Sequence, residues 1–285
     1  MRYYRYRSTD GTRLVAEDDD GTYDLTAVKP DLATFGDLAR AAAVTDADVD
    51  EVAGGLLDRA PAYEGTGSPL APEADEVWAA GVTYEISEQA REAESGMPDM
   101  YLDVYEAERP EVFFKATPGR TVGPGEAVGV REDAEWNVPE PELGVVLHRG
   151  EVVGYTAGND VSSRDIEGAN PLYLPQAKVF DRCCALGPCV VSPGTVGDPH
   201  DLEMSMTIDR DGERVFEGST STAEMVRTCE ELVSYYTRHN AVPERAVLLT
   251  GTSIVPPDEF TLREDDSVRI EIENVGVLEN GVVTV

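Results

Sequence analysis

A chain of 285 residues exceeds one average domain and can bury a substantial core, so one large domain with a smaller companion is expected. Its formal charge of −33 arises from 56 acidic residues against 23 basic ones, a balance that repels phosphates and argues against nucleic acid as a partner. No run approaches the roughly 18 apolar residues of a membrane span and no basic-then-apolar leader opens the chain, so a soluble, cytoplasmic protein without membrane contact is expected.

Residues 1–70 read as a small N-terminal α+β domain. Arg2 to Arg7, Arg13 to Ala16 and Thr22 to Val28 have strand character and are separated by Asp-Gly turns. Helical patterns follow near Phe35 to Ala43 and Asp46 to Leu57, and the small, proline-bearing stretch from Glu64 to Pro72 serves as the linker. Residues 71–285 form the larger unit, dominated by short β-like runs: Val77 to Val82, Glu111 to Ala116, Glu142 to Leu147, Val152 to Ala157 and Cys189 to Ser192. More follow at Leu202 to Ile208, Val215 to Gly218, Ala246 to Thr250, Ser267 to Glu273 and Gly281 to Val285, with a hairpin turn at Asp209 to Glu213. One helix stands out, predicted from a capping box at Ser221 to Glu224 and continuing through Met225, Cys229, Leu232, Val233 and Tyr236 on one face. The chain therefore reads as β-rich α+β, and no glycine-rich phosphate loop supports nucleotide binding.

Acid is scattered along the chain, as at Glu17 to Asp20, Glu132 to Glu135 and Glu264 to Asp266, which points to a whole surface adapted to salt. At about 1 M salt the Debye length falls to roughly 3 Å, so such carboxylates cease to repel; a halophilic, salt-rich cytoplasm suits this chain. The four cysteines make no CxxC pair and are expected to be reduced, with Cys183 and Cys184 as small core residues. The 23 basic residues include only three lysines, Lys29, Lys115 and Lys178. Lysine, unlike arginine, can lose its proton when desolvated and act as a base, so Lys115 and Lys178 become candidates for chemistry or for ordering a site.

Glu140 and Glu142 alternate along a strand and point the same way, about 7 Å apart at the backbone. The hairpin through His148 to Glu151 returns the chain to Gly158-Asn159-Asp160 and delivers a third carboxylate nearby. Three hard oxygen donors without thiolate or imidazole suit Mg²⁺ or Mn²⁺ and disfavour zinc. His148, His200 and His239 are isolated in sequence and read as surface or structural. With 56 acidic residues, spacing alone leaves the metal reading and a chance pairing both open.

The order of motifs resembles the fumarylacetoacetate hydrolase superfamily. Glu140-Pro141-Glu142 is similar to its metal-binding E-x-E, Asn159 to Asp165 to its ND-x-S-x-RD, Lys178 to the lysine of its GKSF, Ala185 to Pro188 to its LGP, and Thr250 to Ser253 to its TGTP loop. The family's water-activating His and Glu are replaced here by Ser87 and Ala90, and the glutamine of RDxQ by Glu167, whereas residues 158–188 resemble the branch of 2-keto-3-deoxy-pentonate dehydratases. The resemblance implies a catalytic domain of mixed sheets and a Mg²⁺ (or Mn²⁺) site at Glu140, Glu142 and Asp160. It further implies a 2-keto-3-deoxy sugar acid as the small-molecule substrate and dehydration to 2,5-dioxopentanoate. Lys178 is then the group at the reacting carbons, as neutral base or as ammonium donor. Glu111 is either a second acid/base group or a surface glutamate at a strand end. Ser87, Arg91, Arg164, Thr252 and Ser253 are candidates to hold the substrate, with Arg164 alternatively a structural partner of Asp165. The family also implies a homo-oligomer, dimer or tetramer. An acylpyruvate hydrolase or oxaloacetate decarboxylase is the alternative within enzymes, and a noncatalytic metal or sugar-acid binding protein the alternative outside them.

Overall fold

The computed structural model describes residues 1–65, 67–84, 104 and 107–285. In chain order its strands are β1 (Arg2–Ser8), β2 (Gly11–Glu17), β3 (Thr22–Asp24), β4 (Glu76–Gly81), β5 (Glu111–Ala116), β6 (Thr121–Val122), β7 (Val128–Val130), β8 (Asn137–Val138) and β9 (Pro141–His148). There follow β10 (Glu151–Asp160), β11 (Ser162–Ser163), β12 (Cys184–Val191), β13 (Glu203–Arg210), β14 (Glu213–Ser221), β15 (Arg245–Leu249), β16 (Ser267–Ile272) and β17 (Gly276–Thr284). The α-helices are α1 (Leu25–Val28), α2 (Phe35–Thr45), α3 (Val49–Leu57), α4 (Arg164–Ala169), α5 (Leu174–Lys178), α6 (Pro193–Val196) and α7 (Cys229–Thr237).

A large mixed sheet runs β3-β2-β1-β12-β10-β9-β15-β4-β5, with β6 paired to β12; a second sheet runs β14-β13-β16-β17-β7. In the large sheet β15–β4 and β12–β6 are parallel and the other pairs antiparallel. The architecture is the β-rich α+β fold with mixed sheets that the sequence predicts. All eight residues of β9 are buried, which requires cover on both of its faces; β13 of the second sheet and α2 both pack against it. The strands of the first 70 residues extend the large sheet through Arg2↔Val191 and Tyr3↔Val190. One apolar cluster contains Leu14, Leu25 and Leu38 together with Val145, Leu248 and Ile270.

Local chemistry accounts for several boundaries. Thr34 and Asp37 form a reciprocal capping box that starts α2, and Asp48 caps α3. The expected strand from Thr22 stops at Asp24, because the Asp24 carboxylate accepts the Ala27 N–H and turns the chain into α1. Ser221 caps only a short 3₁₀ turn over Thr222–Glu224, and the Glu224 carboxylate bonds the Thr220 hydroxyl instead of closing a box. The helix begins later, at Cys229, where Thr228 accepts the Glu231 N–H. β17 is longer than its local pattern suggests because β16 and β7 pair with it along its full length, and β12 because β10 and β6 pair with its first half and β1 and β10 with its end.

Candidate metal and active site

Strands β9 and β10 are joined by the two-residue turn Arg149-Gly150, both with positive φ (53° and 88°), the conformation whose twist matches a tight hairpin. Pairing begins at His148↔Glu151 and Leu147↔Val152, then shifts by one residue at a bulge between Val152 and Gly154. Beyond it Glu142 stands opposite Gly158, and the Asp160 N–H donates to the Glu140 carbonyl at 2.9 Å. Opposed residues point to the same side of a sheet, and a shift of one residue reverses the side. The bulge therefore turns Asp160 onto the face that carries Glu140 and Glu142. Gly154 allows the bulge to sit against β12, since a Cβ there would lie 2.6 Å from Val190 Cγ1 and 2.8 Å from the Val191 carbonyl oxygen.

The three carboxylates are buried, and one ligand oxygen from each lies within 4.8 Å of the others. A set of cations surrounds them. Lys178 Nζ lies 2.7 Å from Glu140 Oε2, 3.4 Å from Asp160 Oδ2 and 2.6 Å from Ser162 Oγ. An Arg164 guanidinium nitrogen lies 2.7 Å from Glu140 Oε1, and Arg164 Nε is 3.9 Å from a Glu167 oxygen. Lys115 Nζ pairs with Asp160 Oδ1 at 2.5 Å. Burial is the largest influence and works against that ammonium charge, but Asp160 together with Cys183 and Cys184 outweighs it and holds the Lys115 proton more firmly than in water. Glu142 receives the Gly251 N–H at 2.6 Å. Gly251 has φ of 84°, and a Cβ would fall 2.1 Å from Thr83 Oγ1, so glycine is required to present this donor.

Charge balance within the cluster is uneven. Burial pushes the Glu142 carboxyl well above its usual range, with Asp160 and Glu140 adding repulsion. A bound cation removes that conflict. The donor set, three buried carboxylates at bridging distance, fits a hard divalent ion such as Mg²⁺ or Mn²⁺. His148 is buried at the hairpin end of β9, and His200 accepts the Cys229 N–H; neither lines the pocket at the carboxylates.

The carboxylates and Lys178 line a pocket whose apolar wall includes Val82, Phe113 and Val255. Arg164 and Thr252 also line it, so of the residues singled out in the sequence this pocket gathers Glu140, Glu142, Asp160, Lys178, Arg164 and Thr252. Ser253 lies behind the wall, its hydroxyl 2.6 Å from that of Thr220. Glu111 opens β5 opposite Gly81, a residue of the pocket wall, and stands at its margin. Ser87 and Arg91 lie outside the described residues. The sequence reading placed Asn159 and Ser162 within its ND-x-S-x-RD resemblance and Gly251 within the TGTP loop but gave them no role; the Asn159 side-chain oxygen accepts the Glu140 N–H at 3.1 Å. Ser162 had a readable signal, since it follows Asp160 by two residues in an extended stretch.

Comparisons with known proteins agree with this geometry. The family described as Fumarylacetoacetate (FAA) hydrolase C-terminal matches residues 76–283. A Haloferax volcanii protein named probable 2-keto-3-deoxyxylonate dehydratase is 62% identical over 289 residues, covering 100% of both chains. The 2-dehydro-3-deoxy-D-arabinonate dehydratase of Saccharolobus solfataricus is 46% identical over 208 residues, 71% of this chain and 70% of its own. A solved structure of 2-keto-3-deoxy-D-arabinonate dehydratase, complexed with magnesium and 2,5-dioxopentanoate, superposes with a TM-score of 0.81 at 34% identity, covering 100% of this chain and 99% of that one.

Proposed function

The chain belongs to the fumarylacetoacetate hydrolase family, and from that premise we propose that it removes water from 2-dehydro-3-deoxy-D-pentonate, the acid derived from arabinonate or xylonate, to give 2,5-dioxopentanoate in pentose degradation. The observation that carries this reading is the buried Lys178 ammonium, in contact with two of three clustered carboxylates that line the same pocket. In our reading Glu140, Glu142 and Asp160 hold Mg²⁺ or Mn²⁺, which when bound supplies Lewis-acid polarisation to a 2-keto acid and acidifies its C3 hydrogens.

The reaction balances as one water lost. C3 gives up a proton, the C4 hydroxyl leaves and takes a proton to become water, and a C3–C4 double bond forms. C5 then loses a carbon-bound proton, C3 regains one, and the resulting C4–C5 enol tautomerises to the aldehyde. Lys178 Nζ moves the proton at C3, and Ser162 and Glu140 orient that nitrogen through their hydrogen bonds. Glu111, at the pocket margin, is assigned the second proton transfer. Arg164 and Thr252, with Ser87, Arg91 and Ser253, are assigned to holding the substrate carboxylate and hydroxyls. Phe113, Val82 and Val255 keep bulk water from the reacting carbons.

Residues 1–70 are taken as a small N-terminal α+β domain and 71–285 as the catalytic one. A cytoplasmic homo-oligomer, dimer or tetramer, completes the proposal; light scattering in molar KCl reads the assembly. Among the described residues no helix is long and apolar enough to cross a membrane. The deciding experiment is proton NMR of purified protein with Mg²⁺ and the pentonate, repeated with EDTA. The proposal expects 2,5-dioxopentanoate only in the sample with free metal. Consumption of an acylpyruvate or oxaloacetate with the pentonate left intact would overturn it.

A further inference from the structure

Lys115 is fully buried and does not line the pocket. Three oxygens nevertheless converge on its single nitrogen: Asp160 Oδ1 at 2.5 Å in an ion pair, the Val161 carbonyl at 2.8 Å and the Lys178 carbonyl at 2.6 Å. These come from two elements. Asp160 and Val161 lie at the end of β10, and Lys178 is the last residue of α5. The ring of Phe180 closes the remaining side, 5.5 Å from the nitrogen.

We propose that Lys115 is a positioning residue, whose ammonium fixes the Asp160 carboxylate and the backbone of Lys178 as one unit and so sets the distance between the metal-binding face and the proton-transfer nitrogen. The inference rests on the reading of Asp160 and Lys178 as parts of the reacting machinery. The choice of side chain supports it. An ammonium carries three hydrogens on one atom and serves three converging oxygens, whereas each guanidinium nitrogen carries at most two, in one plane. This explains why a lysine stands here in a chain whose 23 basic residues include only three. Lys178 differs: its nitrogen bonds the side chains of Glu140, Asp160 and Ser162 and faces the pocket.

Two measurements test the proposal. The first substitutes Lys115→Arg, which keeps the charge and changes the geometry, beside Lys115→Met, with circular dichroism to confirm folding. Both variants are expected to lose about 100-fold in kcat with KM changed less than about threefold. Mn²⁺ affinity, read by electron paramagnetic resonance without substrate, is expected to fall about tenfold in Lys115→Arg. An arginine variant that is folded and keeps both kcat and Mn²⁺ affinity would show that charge alone suffices and overturn the proposal. The second needs no Lys115 variant: ¹⁵Nζ-lysine labelling of the wild-type protein, in which Lys29 is exposed and Lys178→Met assigns the other signal. An exchange-protected Lys115 ammonium that stays in place when the 2-keto acid pyruvate is added, while the Lys178 signal moves, supports the proposal. A Lys115 signal lost to exchange, or moving with that of Lys178, sinks it. Metal affinity and the ammonium signals are read without turnover, so failure of the dehydratase reading would appear separately, as an inactive wild type with both signals intact.

Discussion

The pocket and the outer surface use the same charges in opposite ways. At the surface Glu244 pairs with Arg40 at 2.9 Å and with Arg149 at 3.2 Å, and Arg245 pairs with Glu73 and Asp75 at 2.7 and 2.6 Å. These arginines stand in solvent, where each pair is worth little and salt screens it. Around the carboxylate cluster Lys115, Lys178 and Arg164 are each no more than about 6% exposed and face carboxylates that are as deeply buried. There, removing one partner leaves a charge without water, so the geometry is held by electrostatics that salt does not reach. The outer network is spread over many interchangeable pairs; the inner one depends on single atoms.

The largest effect that would sharpen this contrast is expected from the carboxylates. Glu142→Gln and Asp160→Asn should each lower kcat/KM by about 10³-fold or more and weaken Mn²⁺ binding, since several kcal/mol of Lewis-acid stabilisation are lost. Steady-state kinetics and a metal titration check this, and retention of metal affinity in both variants would dissolve the assignment. Lys178→Met should cost about 10³-fold in kcat, in the range for a positioned proton-transfer group, while Mn²⁺ still binds. A variant that loses metal and activity together would reduce Lys178 to a structural partner of Glu140. Removing metal with EDTA should lower the thermal midpoint by about 5 °C, for an ion present at about 100 times its Kd. Calorimetry with and without Mg²⁺ measures that shift.

The smallest effect belongs to the surface. Arg40 holds the Glu244 carboxyl down at about 2 through its hydrogen bond, below the ordinary 4.5. A depressed carboxyl stabilises the fold above its unfolded value and loses that contribution as the pH falls from about 4.5 towards 2. Glu244→Gln is therefore expected to leave kcat unchanged and to lower the thermal midpoint slightly at pH 6 in dilute buffer. That difference should vanish in molar KCl and shrink below pH 4.5. A large effect persisting in molar salt would break the contrast between the two networks.

Much of the site was readable because its information is local. Glu140 and Glu142 alternate within one strand, and the scarcity of lysine marked Lys115 and Lys178 before any contact was known. What escaped is non-local. Nothing near Arg2 announces that β1 will pair with Val190 and Val191, and nothing near Gly251 announces that its N–H will meet Glu142. The Ser221 box has the right letters, yet Glu224 finds Thr220 first, and Thr228 supplies the helix with its start. The Ser253 hydroxyl meets that of Thr220, a residue of β14 distant in sequence. Local pattern states which side chains share a face; tertiary pairing states which face meets which.

The bulge between Val152 and Gly154 works like a parity bit. How one supernumerary residue is accommodated, far along the hairpin from the carboxylates, decides whether Asp160 joins their side of the sheet or turns its back on them. Taking Val153 into a regular ladder would slip Asp160 to a place opposite Pro139 and scatter the metal ligands over two faces, whereas deleting Val153 would keep Asp160 opposite Glu140. A bulged hairpin that keeps this residue and a regular one that lacks it therefore present the same ligand face. A slip of register there acts on chemistry without touching a single reacting group.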